Sequence, residues 1–158
     1  MTAYFAYGSN MSRALMGMRC PSARAVGPAV LDDHRFVITA DGYASVIAQP
    51  GEMVHGILWR LTPRDIAVLN AYEGIDSGLY RCRVLPVRAQ GRRVAVLVYV
   101  ARARARGRPR PGYLEAVVAA AREWGLPADY ARSLERWAPS GLRSARAPET
   151  GEIAWARR

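Results

Sequence analysis

The sequence predicts an α+β fold built on a small, mainly antiparallel, barrel-like sheet with flanking helices. Three observations predict this fold. β-Prone segments occur in pairs on either side of turn-forming residues, at Asp41-Gly42 and at Gln90-Gly91-Arg92. Apolar residues at helical spacing mark stretches between and after these hairpins. The chain has 158 residues, 51% of them apolar, which is enough for the core of one domain.

The N-terminal segment predicts a strand, a tight turn and a short helix. Residues 3–7 are apolar and β-prone, and they stop at the turn-forming cluster Gly8-Ser9-Asn10. Ser12 is a suitable N-cap for a helix that reaches Arg19, and Pro21 prevents its continuation.

The next segment predicts three strands separated by two turns. Residues 35–40 and 44–49 flank the hairpin signal Asp41-Gly42. Pro50-Gly51 predicts a second turn, after which residues 53–61 form a further strand.

The second half predicts one helix, a long hairpin and two more helices. Thr62-Pro63-Arg64-Asp65 combines a hydroxyl N-cap, a proline at the first helical position and an acid in the first turn, and Gly74 is a natural terminator. The remaining predicted elements are strands over 79–88 and 93–101, an amphipathic helix over 111–124, and a helix from Ala128 to about Trp137. We expect a domain over residues 1–138 and a loosely held Arg/Ala-rich tail over 139–158.

Composition excludes several classes of protein. The apolar runs are shorter than the roughly 18 residues of a membrane span, and the N-terminus lacks the basic region of a signal peptide. The chain has no lysine, so a Walker-type lysine, a lysine Schiff base and a lysine nucleophile are all excluded. The two cysteines, Cys20 and Cys82, predict reduced thiols in a cytoplasmic protein rather than disulfides or a zinc site. His34 and His55 have no partner at metal-ligand or triad spacing, and His55 predicts half-buried packing in a strand.

The formal net charge of +10 makes an acidic partner conceivable. The densest basic run alternates arginine with Ala, Gly and Pro, and it consists of Arg102, Arg104, Arg106, Arg108 and Arg110. Grooves that bind nucleic acid usually interleave aromatic side chains with their charges, and this run has none. A solvated loop is therefore the favoured interpretation, over a nucleic-acid interface.

Two places could carry chemistry. The loop Gly8-Ser9-Asn10 joins a strand to a helix start, so its amides could bind an anion, although an ordinary turn capped by Ser and Asn is the simpler interpretation. Glu73 lies at the end of the helix that begins at Thr62. It could be a partly buried general base or a glutamate facing water, and the residues alone leave both alternatives open.

Four segments together resemble the gamma-glutamylcyclotransferase-like family in order and spacing. They are Phe5-Ala6-Tyr7-Gly8-Ser9-Asn10-Met11, Val54-His55-Gly56-Ile57-Leu58-Trp59-Arg60-Leu61, Leu69-Asn70-Ala71-Tyr72-Glu73-Gly74 with the following Tyr80, and Gly112-Tyr113-Leu114 with Trp124-Gly125-Leu126-Pro127-Ala128-Asp129-Tyr130. The resemblance covers about residues 4–137. One departure is Asn70, where the family usually has an aspartate.

The resemblance implies a compact barrel fold and a reaction without a cofactor. A gamma-glutamyl amide or peptide would cyclise to 5-oxoproline and release its amine, with Glu73 as the general base and then the general acid. The implied substrate-binding residues are Tyr7, Gly8, Ser9, Asn10, Met11, Tyr80 and Tyr113. The only partner implied is a small gamma-glutamyl substrate. Alternatives are a relative that deblocks a gamma-glutamylated secondary metabolite or a gamma-glutamyl-ε-lysine-type amine, and a non-catalytic binding module of the same fold. The leaving amine and the oligomeric state are left open by the sequence.

Overall fold

The computed structural model describes residues 1–102 and 105–139. Its strands and helices are β1 (Thr2–Ala6), α1 (Arg13–Arg19), β2 (Arg24–Ile38), β3 (Ala44–Leu61), α2 (Pro63–Tyr72), β4 (Tyr80–Ala89), β5 (Arg92–Ala101), α3 (Tyr113–Glu123) and α4 (Ala128–Glu135). A single 3₁₀ turn, Ser9–Met11, lies between β1 and α1. The predicted tail after Pro139 and residues 103–104 of the arginine run lie outside the described residues.

The strands close into a barrel in the order β1-β3-β2-β4-β5. Neighbouring strands are antiparallel except at the closure, where β1 pairs with β5 in parallel through Tyr4 and Leu97. The helices lie outside this barrel and continue its apolar core. The predicted α+β fold with a barrel-like sheet is confirmed. None of the helices in the described part of the chain is long and apolar enough to cross a bilayer.

The β2–β3 hairpin differs from the prediction. The predicted turn at Pro50-Gly51 is wrong, because β3 continues through both residues for 18 residues in all. The register shifts between Asp32 and His34, where Asp33 takes a φ of +56° and its carboxylate accepts a hydrogen bond of 3.0 Å from the Gly51 amide. This irregularity in the register accommodates the extra residues of β3 without ending the strand.

The predicted capping signals of α2 are confirmed. The Thr62 side chain accepts a hydrogen bond from the Asp65 amide, and the Asp65 carboxylate accepts one from the Thr62 amide, which completes a capping box. Gly74 follows the helix with a φ of +65°, a conformation that glycine adopts without strain. These two ends determine where Glu73, the C-cap of α2, is placed.

The hairpin of β4 and β5 and the two C-terminal helices also confirm the predictions, within two residues at each end. The predicted apolar face of α3 is buried in the core through Leu114, Val117, Val118 and Ala121. Both cysteines are free, Cys20 buried and Cys82 exposed. His55 is half-buried as predicted, with its ring centroid 4.7 Å from that of Tyr130.

The arginine run is exposed where it is described, but it is more than a solvated loop. Its backbone runs along the turn between β2 and β3, where the Ala40 amide donates to Ala105 and the Arg110 amide donates to Gly42. The Arg110 guanidinium lies 4.9 Å from the centroid of the Tyr43 ring. The run therefore packs against the hairpin end that borders the pocket described below.

Strand β1 approaches β3 closely at Gly56. A Cβ atom at this position would lie 2.3 Å from the backbone oxygen of Ala6 and 2.7 Å from the Phe5 ring. Both neighbours are buried, and one of them is backbone, so they cannot rotate away.

We therefore expect Gly56→Ala to lower the free energy of unfolding by about 2–3 kcal/mol, the usual cost of overpacking a core. Urea denaturation followed by circular dichroism measures this change. The matched control is Gly17→Ala in α1, where nothing lies within 4 Å of the added Cβ. That control should be stabilised by about 0.5–1 kcal/mol, because alanine favours a helix. A Gly56→Ala protein as stable as the parent would contradict the close approach.

Candidate active site

A pocket lies where the end of β1, the β2–β3 turn and the end of α2 meet. Its lining is dominated by tyrosine: seven of the eight tyrosines of the chain contribute to it. The lining residues are Tyr4, Tyr7, Gly8, Ser9, Asn10, Tyr43, Ala44, Tyr72, Glu73, Leu79, Tyr80, Tyr99 and Tyr113. The pocket therefore brings together segments that are far apart along the chain.

The loop Gly8-Ser9-Asn10, called the glycine loop below, follows strand β1 and forms one wall of the pocket. The Tyr7 hydroxyl donates to the Tyr99 carbonyl at 2.5 Å and so ties the end of β1 to β5. A Cβ at Gly8 would lie only 2.7 Å from the Tyr113 hydroxyl. The Tyr113 side chain thus approaches the loop so closely that an added Cβ at Gly8 would displace its hydroxyl.

Tyr80 and Tyr113 meet at the peptide of Ala44, although they lie on different elements. The Tyr80 hydroxyl donates to the Ala44 carbonyl at 2.6 Å, and the Ala44 amide donates to the Tyr113 hydroxyl at 3.2 Å. The Tyr113 hydroxyl also forms a hydrogen bond with the backbone of Ser9. Both side chains are buried, so these bonds fix the two hydroxyls at the same pocket wall.

Glu73 enters the pocket from the end of α2 and is half-buried there. The side-chain amide nitrogen of Asn10 lies 3.5 Å from its Oε1 atom, so the acid faces the glycine loop. Burial raises the pKa of Glu73 to about 7, and the positive charge of Arg19 opposes that rise. Of the two interpretations that the sequence leaves open, the structure therefore favours the partly buried carboxyl.

Tyrosines surround this carboxyl and stay neutral near pH 7. Burial raises the pKa of each phenol in direct electrostatic contact with Glu73, and the negative charge of Glu73 adds to the rise. These phenols belong to Tyr4, Tyr7, Tyr72, Tyr80, Tyr99 and Tyr113. They supply hydroxyl dipoles rather than charges, so Glu73 is the group in the pocket lining whose charge changes near neutral pH.

Sequence reasoning missed several of these residues. Arg19 is only 8% exposed and reaches the loop from the end of α1. Tyr4, Tyr43, Tyr72 and Tyr99 also line the pocket without having been predicted. A compositional signal could have pointed to them, since the chain has eight tyrosines but only two phenylalanines.

Of the predicted site residues, all but Met11 line the pocket. Met11 is fully buried in the core, and its carbonyl accepts a hydrogen bond of 2.7 Å from the Trp124 indole. Its side chain therefore belongs to the core rather than to the pocket lining. Within residues 1–102 and 105–139, no cluster of three or more His, Cys, Asp or Glu side chains could hold a metal ion.

The fold and the pocket define the chain as a small barrel protein with a titratable carboxyl in a tyrosine-lined cavity. The family model described as the AIG2-like family matches residues 53–134, which is more than half of the chain. The chain therefore belongs to the AIG2-like family.

Comparison with individual proteins narrows this assignment. The gamma-glutamylcyclotransferase of Bos taurus is 28% identical, over 95% of this chain and 86% of its own length. That of Homo sapiens is also 28% identical, over 87% and 79%. A solved gamma-glutamyl cyclotransferase structure superposes with a TM-score of 0.83 at 26% identity, over 94% of each chain. These comparisons confirm the resemblance to the gamma-glutamylcyclotransferases that was drawn from the motifs. The chain is therefore an enzyme of the AIG2-like family that is similar to the gamma-glutamylcyclotransferases.

The raised pKa of Glu73 couples stability to pH. Its folded-state pKa of about 7 lies above the ordinary value of 4.5, so the protonated carboxyl contributes stability that is fully present below pH 4.5. This contribution is lost as the pH rises through 7. Glu73→Gln stays neutral, so its free energy of unfolding should rise relative to the parent between pH 5 and pH 8. The expected gain is on the order of 2 kcal/mol.

Thermal or urea unfolding of both proteins at pH 5 and pH 8 measures this difference. The control is Asp76→Asn, which removes the same charge from an exposed position three residues later. An equal gain in the control would assign the effect to net charge, and no gain in Glu73→Gln would show that its carboxylate is freely solvated.

Proposed function

We propose that the chain is a cyclotransferase that converts a gamma-glutamyl amide or peptide to 5-oxoproline and a free amine. The α-amine of the glutamyl group attacks its own γ-carbonyl carbon, so a new C–N bond closes the five-membered ring. The bond from that carbon to the leaving nitrogen then breaks. Because the nucleophile belongs to the substrate, correct folding of the substrate supplies much of the rate acceleration.

The observation that carries this proposal is the placement of Glu73 in the pocket with a pKa of about 7. The substrate's α-ammonium must lose a proton before it can attack. A carboxylate of this basicity accepts that proton far more readily than an ordinary glutamate, whose pKa is 4.5. The same carboxyl then holds the proton that the departing nitrogen requires. The α-nitrogen loses a second proton as it becomes the lactam N–H, and the regenerated Glu73 carboxylate passes that proton to the released amine, which leaves as an ammonium ion. One residue thus serves each transfer, and the protons balance.

The glycine loop is suited to the charges of the substrate. Gly8, Ser9 and Asn10 border the same cavity as Glu73. We assign their backbone to the substrate's α-carboxylate or to the oxyanion that develops on the γ-carbonyl oxygen, since backbone amides stabilise both. The close contact of Tyr113 with Gly8 holds the loop in one position while the charge develops.

The tyrosines supply the shape of the pocket. Tyr80 and Tyr113 are held by the Ala44 peptide, so their rings form a rigid wall around a folded glutamyl group. Tyr7, bonded to β5, completes that wall next to the loop. A preorganised wall favours the cyclised geometry of the substrate over its extended forms.

A cytoplasmic location accompanies this function. Cys20 and Cys82 are free, which fits a reducing compartment. We also propose residues 1–138 as the catalytic domain, since α4 ends at Glu135.

The first test is Glu73→Gln, assayed for 5-oxoproline on a panel of gamma-glutamyl amino acids, gamma-glutamyl amines and gamma-glutamyl-ε-lysine. Glutamine keeps the shape of the side chain but cannot transfer the proton. We expect turnover of any accepted substrate to fall by about 10²-fold or more. Substrate binding should persist, and competition by the unreacted compound measures it.

The control for this test is again the exposed Asp76→Asn, which should retain parental turnover. Near-parental turnover by Glu73→Gln would exclude this mechanism. If the parent releases 5-oxoproline from none of the compounds in the panel, the function itself is excluded.

The second test is the pH dependence of kcat/KM in the parental enzyme. Glu73 must be ionised to accept the first proton, and its pKa is about 7. kcat/KM should therefore be constant well above pH 7 and fall about tenfold per pH unit well below it. Recovery of activity on return to pH 8 excludes acid inactivation. A profile that stays flat down to pH 5 would show that another group is the base.

A further inference from the structure

Arg19 is the buried cation next to the active site. Its guanidinium donates to the Ser9 hydroxyl at 3.3 Å, to the Asn10 side-chain oxygen, and to the Tyr72 hydroxyl at 2.6 Å. The guanidinium carbon also lies 3.8 Å from the centroid of the Tyr72 ring. None of the ion pairs among the described residues includes Arg19, so it is not held by a carboxylate at salt-bridge distance.

The contact with Arg19 determines how the Asn10 amide is oriented. A guanidinium has donors only, so the Asn10 atom that faces it must be the acceptor Oδ1. The amide nitrogen Nδ2 is then turned to the opposite side. There it lies 3.0 Å from the Tyr4 hydroxyl and 3.5 Å from Oε1 of Glu73. Arg19 thus orients the Nδ2 donor of Asn10 toward the carboxylate of Glu73.

Arg19 is also the cation that acts electrostatically on Glu73. The titratable side chains that face Glu73 from other positions are all phenols: Tyr4, Tyr7, Tyr72, Tyr80, Tyr99 and Tyr113. These phenols are neutral near pH 7, because burial raises the pKa of each. Within the described residues, the ionised form of Glu73 is therefore favoured by one cation and opposed by burial.

We propose that Arg19 is a positioning residue of the active site, which turns the Asn10 amide toward Glu73 and supplies the positive charge that keeps this base ionised. Arg19 does not line the pocket, so it acts through its neighbours without touching the substrate. The inference rests on the proposed function only in treating Glu73 as the base. The rival interpretation is a purely structural clamp, in which the stack on Tyr72 holds α1 against α2.

The test compares two neutral variants, Arg19→Met and Arg19→Gln, with the charged variant Arg19→Lys. The carboxyl of Glu73 is titrated directly by NMR in protein labelled with ¹³C at the glutamate side-chain carboxyl. The signal is assigned by its absence in Glu73→Gln. Two neutral variants are used so that the measurement survives if one does not fold. The matched control is Arg64→Met, which removes an exposed positive charge from the helix that carries Glu73.

Removal of the cation should move the Glu73 titration to higher pH by about one unit in both neutral variants, because the carboxylate loses its favourable charge. The acid limb of kcat/KM should move in the same direction by the same amount. Arg19→Lys should titrate close to the parent, and so should Arg64→Met. A structural clamp would lower stability in all three Arg19 variants without this pattern.

An unchanged Glu73 titration in the neutral variants overturns the proposal. A shift of the Glu73 titration that is as large in Arg19→Lys as in the neutral variants also overturns the proposal. Such a shift would result from lost packing rather than from lost charge. The NMR measurement needs no substrate. If the parent forms no 5-oxoproline, the proposed function fails while the role of Arg19 is still decided.

Discussion

The half-buried carboxyl of Glu73 is the constraint on which the rest of the site depends. A carboxylate removed from water is costly unless charges or hydrogen bonds compensate for it. The barrel compensates only in part, with the Asn10 amide on one side and the charge of Arg19 behind it. This partial compensation leaves the pKa near 7, where the group can both accept and return a proton.

The barrel makes this arrangement rigid by bonding the pocket walls to its own backbone. Tyr7 is bonded to the Tyr99 carbonyl, and the hydroxyls of Tyr80 and Tyr113 share the Ala44 peptide. These contacts join β1, β3, β4, β5 and α3 at one end of the sheet. Burial favours the pairing of these three hydroxyls with backbone groups, so the bonds that stabilise the fold here also shape the pocket.

Local signals in the sequence predicted the elements that carry the site. The capping box from Thr62 and the positive φ of Gly74 fix both ends of α2, and they place Glu73 as its C-cap. The turn at Pro50-Gly51 was predicted wrongly, since the bulge at Asp33 on the partner strand allows β3 to continue. A single strand cannot reveal such a feature, because the bulge depends on cross-strand register.

The sequence by itself determined the class of fold and placed the Gly8–Asn10 loop after a strand and Glu73 at a helix end, because turn chemistry, helix caps and short motifs act over a few residues. Only the tertiary structure decided that Glu73 is half-buried, that Arg19 supports it, and that seven tyrosines enclose one cavity. Burial and electrostatic coupling arise between segments up to a hundred residues apart, so the order of residues along the chain does not express them. Arg19 illustrates this difference: at the end of α1 it is one arginine among many, and its environment in the folded chain makes it specific.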